Sequence, residues 1–483
     1  MTIRPKNLLL IMTDEHNPKV AGYEGHPQVR TPNMDRLAAA GTRFSAAYSN
    51  SPLCVPARAV FATGQYVHDN GCWDNAIAYG GETPGWGHRL QKEGHPVVSI
   101  GKLHYLKETD PTGFDEQILP MHIAHGVGDL QGLIRDPMPV RYQSRELAEQ
   151  IGPGETGYIK YDRMIADAAC EWFKEKTETP PDKPWVLFVS FISPHYPLIV
   201  PQEYYDLYPT AEVPMPKALA DTALLDHPWW KSFRGAYIFD QYFADDEQRR
   251  IAIASYFGLC TFVDEQIGKV LDGLEASGLG AGTNIVYTSD HGDNLGARGL
   301  WGKSTMYEES ARIPMIVVGD GIDAGAVSAT PVSQVDIYQT VLDSVGLDAE
   351  GDETGLPGGS LLEIAGADDD PDRTVFSEYH AAGSVTGAFM LRRGDYKYVH
   401  YLGYAPELYN LADDPEELTN LGGSGDHKDI LRGFEDRLRN MVDMDEIDNR
   451  AKADQAAWIE DHGGRGKILD APGINATPSP VGD

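Results

Sequence analysis

The sequence predicts an α/β protein with a large mixed sheet flanked by helices over residues 1–365. A smaller α+β subdomain follows over 366–450, and a tail over 451–483. Three observations predict this. Short apolar runs rich in Val, Ile and Leu alternate with helix-patterned stretches through most of the chain. Between Asp348 and Asp372 the composition shifts to Gly, Asp, Glu and Pro, as a connection between domains does. Beyond it, strand-like segments follow closely on one another with turn residues between them.

Taken in order, Asn7–Thr13, Pro96–Ile100, Trp185–Ile192, Asn284–Ser289 and Met315–Val318 read as buried strands, each short, apolar and bounded by polar or turn residues. Thr31-Pro32 predicts a capped helix start, with Met34, Leu37 and Ala38 on one face and Gly41 as the stop. A long helix is expected from Asp246 to Ser277, where Ile253, Phe257, Val263, Ile267 and Val270 keep helical spacing. A third covers Asp336–Val345 before Gly346. In the subdomain, Thr374–Tyr379, Ala388–Leu391 and Tyr396–Tyr401 read as antiparallel strands, with Arg393-Gly394-Asp395 as turn material. Gly463–Asp483 has little periodicity and much Gly and Pro. It reads as a loose tail or as an oligomerisation arm that packs on a neighbouring subunit.

With 483 residues, 41% hydrophobic and 23% charged, the chain can bury a sizeable core and is not a disordered one. Its net charge of -33 argues against a nucleic-acid partner, since the general field repels phosphate. That field would also repel an anionic ester, so such a substrate needs a local positive pocket. Leu8–Met12 is shorter than a signal-peptide core and runs at once into Asp14 and Glu15; no stretch reaches transmembrane length. The expectation is a cytoplasmic protein with no membrane partner. Four widely spaced cysteines without a CxxC pair argue against a disulfide framework or a zinc-thiolate site. Cys72, Cys170 and Cys260 read as small core residues.

Ligands of open α/β sheets bind beyond the carboxyl ends of the strands. Four of the runs end in residues fit for catalysis: Asp14-Glu15-His16, then Gly101-Lys102-Leu103-His104, then Ser193-Pro194-His195, then Asp290-His291-Gly292-Asp293. One such end is ordinary; four on one sheet edge predict a site. Cys54 stands in Ser51-Pro52-Leu53-Cys54-Val55-Pro56-Ala57-Arg58. Pro56 fits the first turn of a helix, which places Cys54 near its cap. An anionic oxygen or thiolate there is expected to gain from the helix dipole and from Arg58.

Cys54-x-Pro-x-Arg58 resembles the modification signature of the type I, formylglycine-dependent sulfatases of the alkaline phosphatase superfamily. The resemblance runs in family order through Asp14, Gly101-Lys102-Leu103-His104, Ser193-Pro194-His195-Tyr196-Pro197 and Ser289-Asp290-His291-Gly292. It continues through Lys303, Tyr307-Glu308, Arg312-Ile313-Pro314 and Glu407-Leu408-Tyr409-Asn410-Leu411. It takes in bacterial arylsulfatases, choline-sulfatases and phosphonate monoester hydrolases, and it implies an alkaline-phosphatase-like fold.

In that family the cysteine is oxidised to formylglycine by a maturation enzyme, and the hydrated aldehyde carries two hydroxyls. One attacks sulfur; deprotonation of the other expels sulfate and restores the aldehyde, which a Ser or Thr could not do. By position, Asp14, Asp290 and His291 match ligands of one divalent cation, with Glu15 a further one. Oxygen-rich ligation points first to calcium, with His291 keeping manganese open and magnesium a third choice. Arg58 and Lys102 match residues that hold the aldehyde hydrate and sulfate oxygens, and His104 the base that breaks down the intermediate. His195 and Lys303 match groups that assist the leaving group. Asn75 matches an ester-oxygen contact; Glu308 and Arg312 read as structural or as supporting the residues that touch the ester. Together Arg58, Lys102, His104, His195 and Lys303 are expected to form the positive pocket.

The implied activity is hydrolysis of a small-molecule sulfate monoester. A phosphonate monoester or phosphodiester hydrolase is the nearest alternative. Its relatives also use a formylglycine and an Asp-His pair, but tend to carry neutral residues at Lys102 and His104. A non-catalytic binding protein with unmodified Cys54 is the alternative of another class. No aromatic cage for a quaternary ammonium is visible, since Met121–Pro137 lacks Phe, Tyr and Trp. Gly85–His88 and Asp226–Phe243 are the candidate substrate-facing segments.

Overall fold

The computed structural model describes residues 5–142, 144–219, 226–471 and 477–481. Among them the central sheet has strands β1 (Asn7–Asp14), β2 (Thr42–Phe44), β3 (Val97–Lys102), β4 (Glu116–Met121), β5 (Val186–Pro194), β6 (Thr283–Ser289), β7 (Met315–Val318) and β8 (Ala326–Ser328). Their spatial order is β8-β2-β7-β6-β1-β5-β3-β4. β1 sits between β5 and β6 and is parallel to both, so that Leu10 pairs with Phe188 and with Val286. β7 is antiparallel to β6 and β2, which makes the sheet mixed. All five predicted runs are strands. The three that patterning missed, β2, β4 and β8, are short or half-exposed and lack a continuous apolar run.

The unbroken apolarity of β1 has a plain cause. Leu8, Leu10 and Met12 pack on one side with α2 (Cys54–Thr63) and α5 (Asp336–Val345). Leu9 and Ile11 pack on the other with α1 (Pro32–Ala40), α3 (Gly157–Glu178) and α4 (Asp246–Ala276). A strand covered on both faces has no polar side to alternate with. α1 begins and ends as expected, but Thr31 does not cap it. Its hydroxyl donates to Asp35 Oδ1 at 3.0 Å, while Asp264 of α4 accepts from the Asn33 and Met34 N–H groups at 3.1 and 2.8 Å. The cap is tertiary. Gly41 closes α1 against β7, where a Cβ would lie 2.1 Å from the Val317 carbonyl oxygen.

The Gly- and Asp-rich connection is not empty linker. It contains α6 (Leu361–Ala365), and its Leu361 and Leu362 are buried in the core shared with α5. After it β9 (Val375–Tyr379), β10 (Ala388–Arg393), β11 (Tyr396–Tyr401) and β12 (Glu407–Asn410) form an antiparallel meander. β12 was not anticipated. Helices α7 (Lys428–Met441), α8 (Met444–Asp461) and α9 (Gly464–Asp470) follow, so the unpatterned tail starts helical. The tail then returns to the first domain: Thr477 is buried with its carbonyl accepting from Tyr158 Oη, and Val481 packs on the second core. Residues 472–476 and 482–483 lie outside the described residues.

Cys72 and Cys260 are core residues as expected, but Cys170 is only half-buried on α3, its Sγ donating to the Lys269 carbonyl at 3.3 Å. No described helix is long and apolar enough to cross a membrane.

Candidate active site

The carboxyl ends of β1 and β6 are tied together before any side chain acts. Asp290 N–H donates to the Thr13 carbonyl at 3.3 Å, and the Ser289 hydroxyl bonds the Thr13 and His291 carbonyls at 3.0 and 2.9 Å. Parallel pairing with this lock sets the Asp14 and Asp290 carboxylates side by side. His291 Nε2 lies 3.7 Å from Asp14 Oδ1 and 3.6 Å from Asp290 Oδ1. Cys54 Sγ is 3.6 Å from Asp14 Oδ1 and 3.1 Å from His291 Nε2. One potential ligand atom from each of these four residues lies within 4.8 Å of the others, and all four residues are buried.

Cys54 is the first residue of α2, with Leu53 as an N-cap that offers no side-chain bond. Pro56 falls in the first turn, where its missing N–H costs nothing. Asn75 Oδ1 accepts from the Val55 N–H at 3.1 Å, so Asn75 serves as the remote cap of this helix. Arg58, one turn in, donates from Nε to Asp290 Oδ2 at 2.8 Å. From Nη1 it donates to the Lys102 carbonyl and Ser190 Oγ at 2.7 and 2.9 Å. Lys102 Nζ is ion-paired with Asp14 Oδ2. Lys303 Nζ is 3.1 Å from Cys54 Sγ and 3.0 Å from Glu15 Oε2. His195 Nε2 is 3.3 Å from the same Glu15 oxygen. Glu15 thus stands on the His195 and Lys303 side, outside the set of four ligand atoms around Cys54. His104, with φ 60°, is buried just beyond β3, and its Nε2 lies 3.4 Å from Thr477 Oγ1.

Burial raises the Cys54 thiol to about 12, and Asp14 beside it acts the same way against the smaller pull of Lys303 and Lys102. Burial outweighs whatever gain Arg58, itself hydrogen-bonded to Asp290, gives a thiolate there. Burial would raise the Asp14 carboxyl, but Lys102, His195, Lys303 and Arg58 together hold it well below the usual range. Burial brings Glu15 up to about 7, with Lys303 opposing. His195 is pushed down by burial and by Lys303. Burial disfavours the Lys303 ammonium, yet Cys54, Glu15 and Asp14 keep it charged.

The expected positive pocket is therefore a paired one. Arg58 and Lys102 hold Asp290 and Asp14, and Lys303 is shared with Glu15. Two carboxylates and an imidazole converging on one point fit a divalent cation. Sequence reasoning missed Ser190, which sits inside an apolar strand; the candidate segment Asp226–Phe243 contributes Phe233 and Tyr237 to a cavity next to Lys303 and His195, though the sequence did not single those two out. Gly85–His88 contributes nothing to that cavity's lining. Glu308 and Arg312 lie apart, bound to Lys397 and Glu24.

The sulfatase family profile matches residues 6–347, a span that contains every residue of this site. The chain belongs to the sulfatase family. It is a sulfuric ester hydrolase of the alkaline phosphatase superfamily. A second profile, N-sulphoglucosamine sulphohydrolase, C-terminal, covers residues 296–444 of this sulfatase and takes in β9–β12. It is 30% identical to a choline-sulfatase of Rhizobium meliloti over 95% of this chain and 91% of that one. It is 29% identical to arylsulfatase K of Danio rerio, covering 91% and 84%. The structure of the phosphonate monoester hydrolase of Agrobacterium radiobacter shares its fold, with a TM-score of 0.71 at 23% identity over 90% of this chain and 95% of that one.

Proposed function

We propose that this sulfatase hydrolyses a small-molecule sulfate monoester through a formylglycine made from Cys54, with a divalent cation held by Asp14, Asp290 and His291. The observation that carries the reading is the convergence of those three buried side chains on Cys54 Sγ. When bound, the cation supplies Lewis acidity to the ester oxygens and activates the nucleophile. Calcium is proposed first, with manganese and magnesium as alternatives.

The chain's own groups have separable tasks. Arg58 orients the Asp290 carboxylate, and Lys102 that of Asp14, so that the second oxygen of each faces position 54. Lys303, in reach of position 54, stabilises charge on the departing oxygen. His195 donates from Nδ1 to the Tyr196 carbonyl, an acceptor only, which leaves Nε2 as the proton-exchanging nitrogen toward Glu15 and the leaving group. His104 is proposed as the base that restores the aldehyde. Four free cysteines support a reducing, cytoplasmic location.

Mass spectrometry of the tryptic peptide Phe44–Arg58 from the native host tests the reading. An aldehyde at position 54, made by a maturation enzyme, is expected; intact cysteine alone would reject it in favour of a binding protein. A phosphonate monoester hydrolase is the second reading, favoured by His291 after Asp290. A large excess of aryl phosphonate over aryl sulfate turnover would install it.

A further inference from the structure

The strand end that delivers His195 is held by an acid from another element. Pairing of β5 with β3 ends at Ser190, and its register with β1 shifts between Met12 and Asp14, so the last residues of β5 leave the ladder as they approach His195. Buried N–H groups there need acceptors. Asp162 of α3 supplies them: Oδ1 accepts from the Ile192 N–H at 2.8 Å and Oδ2 from the Ser193 N–H at 2.9 Å. The following turn is drawn tight by the His195 N–H, which donates to the Ile192 carbonyl at 3.0 Å. Ile192 is thus gripped at both polar atoms, and the carboxylate that grips it is fully buried.

α3 itself is braced. Thr156 caps its first turn, with Oγ1 accepting from the Ile159 N–H at 3.2 Å. Tyr161 Oη donates to the Leu119 carbonyl of β4. Ile165 lies against Gly101 at the end of β3, where a Cβ would meet Ile165 Cδ1 at 2.7 Å and the Ser190 carbonyl oxygen at 2.2 Å. Tyr158, four residues before Asp162 and so on the same face of the helix, sets its ring 6.2 Å from that of His195 with 72° between planes. One helix face therefore meets His195 twice, behind its backbone and beside its ring. The imidazole has Nδ1 on the Tyr196 carbonyl at 2.5 Å and Nε2 3.3 Å from Glu15 Oε2.

We infer that Asp162 is a positioning residue for the hydrolysis: through the backbone of β5 it sets where the His195 imidazole stands relative to the leaving oxygen, with Tyr158 steadying the ring from the side. Asp162 acts through His195 and not on the ester. This rests on the reading of His195 as the group that assists the leaving oxygen. A carboxylate that merely satisfied two N–H groups would affect all esters alike.

The test is a double-mutant cycle on the matured enzyme with two probes. The leaving oxygen of 4-nitrophenyl sulfate needs little protonation, and the more basic one of phenyl sulfate needs more. Asp162→Asn keeps the size of the side chain but sets an amide donor against an N–H. It should lower kcat/KM about tenfold more on phenyl sulfate than on 4-nitrophenyl sulfate, since a displacement of about 1 Å can cost on the order of a hundredfold. In a His195→Ala background the same substitution should change the phenyl sulfate rate by less than about twofold. Equal losses on both probes, or an undiminished loss without His195, would overturn the inference. A crystal structure of Asp162→Asn with intact Cys54 needs no turnover: the His195–Glu15 approach of 3.3 Å should be lost, and an unmoved imidazole would overturn the inference as well. Asp162→Ser serves if the Asn variant does not fold. A His195→Ala enzyme that loses both probes equally would remove the leaving-group role of His195 and this inference with it, leaving the sulfatase reading intact. If the matured enzyme turns over neither probe, the crystal structure decides.

Discussion

The buried charges around Lys397 and those around Cys54 differ in what they leave unfinished. Around Lys397 of β11 the charges close on themselves. Glu308 takes Lys397 at 3.0 Å and Tyr48 Oη at 2.9 Å, and Glu417 takes Lys397 and the Glu308 N–H. Glu309 is met by Arg298 at 3.1 Å and by Lys217. Around Cys54 one oxygen of Asp14 and one of Asp290 are neutralised in the same manner, by Lys102 and Arg58. The other two face His291 and position 54, next to a cavity. Both clusters are buried, so burial of charge does not mark the site. Converging donor atoms that no cation side chain has claimed do. The direction of a carboxyl's shift does not separate them either: Glu308 and Asp14 are both held down by neighbouring cations that outweigh burial.

The comparison can be broken first at its extremes. Cys54→Ala should lower turnover by about 10⁴-fold or more, since removing a nucleophile disables the whole unit, with a thermal midpoint within ~2 °C of wild type. Lys397→Met should do the reverse. It leaves Glu308 and Glu417 buried without their ammonium and should cost about 3–5 kcal/mol, read by denaturant titration, while the folded fraction keeps its kcat. Loss of kcat without loss of stability in Lys397→Met would erase the distinction.

A third charged cluster sharpens it through pH. Glu378 of β9 lies between His68, at 2.8 Å, and His380, at 2.9 Å. Burial would raise its carboxyl, but bonds from His380 and His68 bring it from 4.5 to about 2. A depressed carboxyl stabilises the folded state above pH 4.5 and loses that stabilisation as pH falls through about 2. The shift amounts to about 3 kcal/mol. His68 is moved the other way: burial lowers it, but Glu378 and Asp69 prevail over burial and Arg450 and raise it above 6.5. Its share is present below pH 6.5 and fades as pH rises through the folded value. Glu378→Gln should flatten acid unfolding between pH 4.5 and 2; an unchanged profile would remove the cluster from the account.

Smaller effects follow at the site. A cation at one hundred times its dissociation constant should add about 2.7 kcal/mol of stability, and chelation should remove it. Asp290→Asn should abolish that difference and Lys397→Met should keep it, both by calorimetry. Asn75→Ala, which strips the cap from Val55, should cost ~1 kcal/mol and leave the cation response in place.

Much of the fold was legible because β1, β3, β5 and β6 are covered on both faces and so read as unbroken apolar runs. β2 and β8, at three residues each, are too short to show a period, and β12 hid inside a motif rich in polar residues. Part of the site was legible for the same reason: Asp14, Lys102, His195 and Asp290 stand at or just beyond the ends of strands that share one edge, whereas Cys54 and Arg58 lie on α2 and were found by their motif. Ser190 was not, because inside Val186–Pro194 it looks like one polar interruption, and only its bond to Arg58 gives it a task.

Residue order alone was enough to name the family, to order the strands' chemistry and to single out Cys54, Asp14, Asp290 and His291. These depend on local pattern and on motif spacing, which a linear chain displays. Which cations would be consumed by which carboxylates, that Asp264 caps α1, that Thr477 returns to His104 and that Phe233 and Tyr237 wall the cavity were decided by folding. Each is a contact between segments far apart in the chain, and such contacts are set by packing and charge balance that no single segment contains.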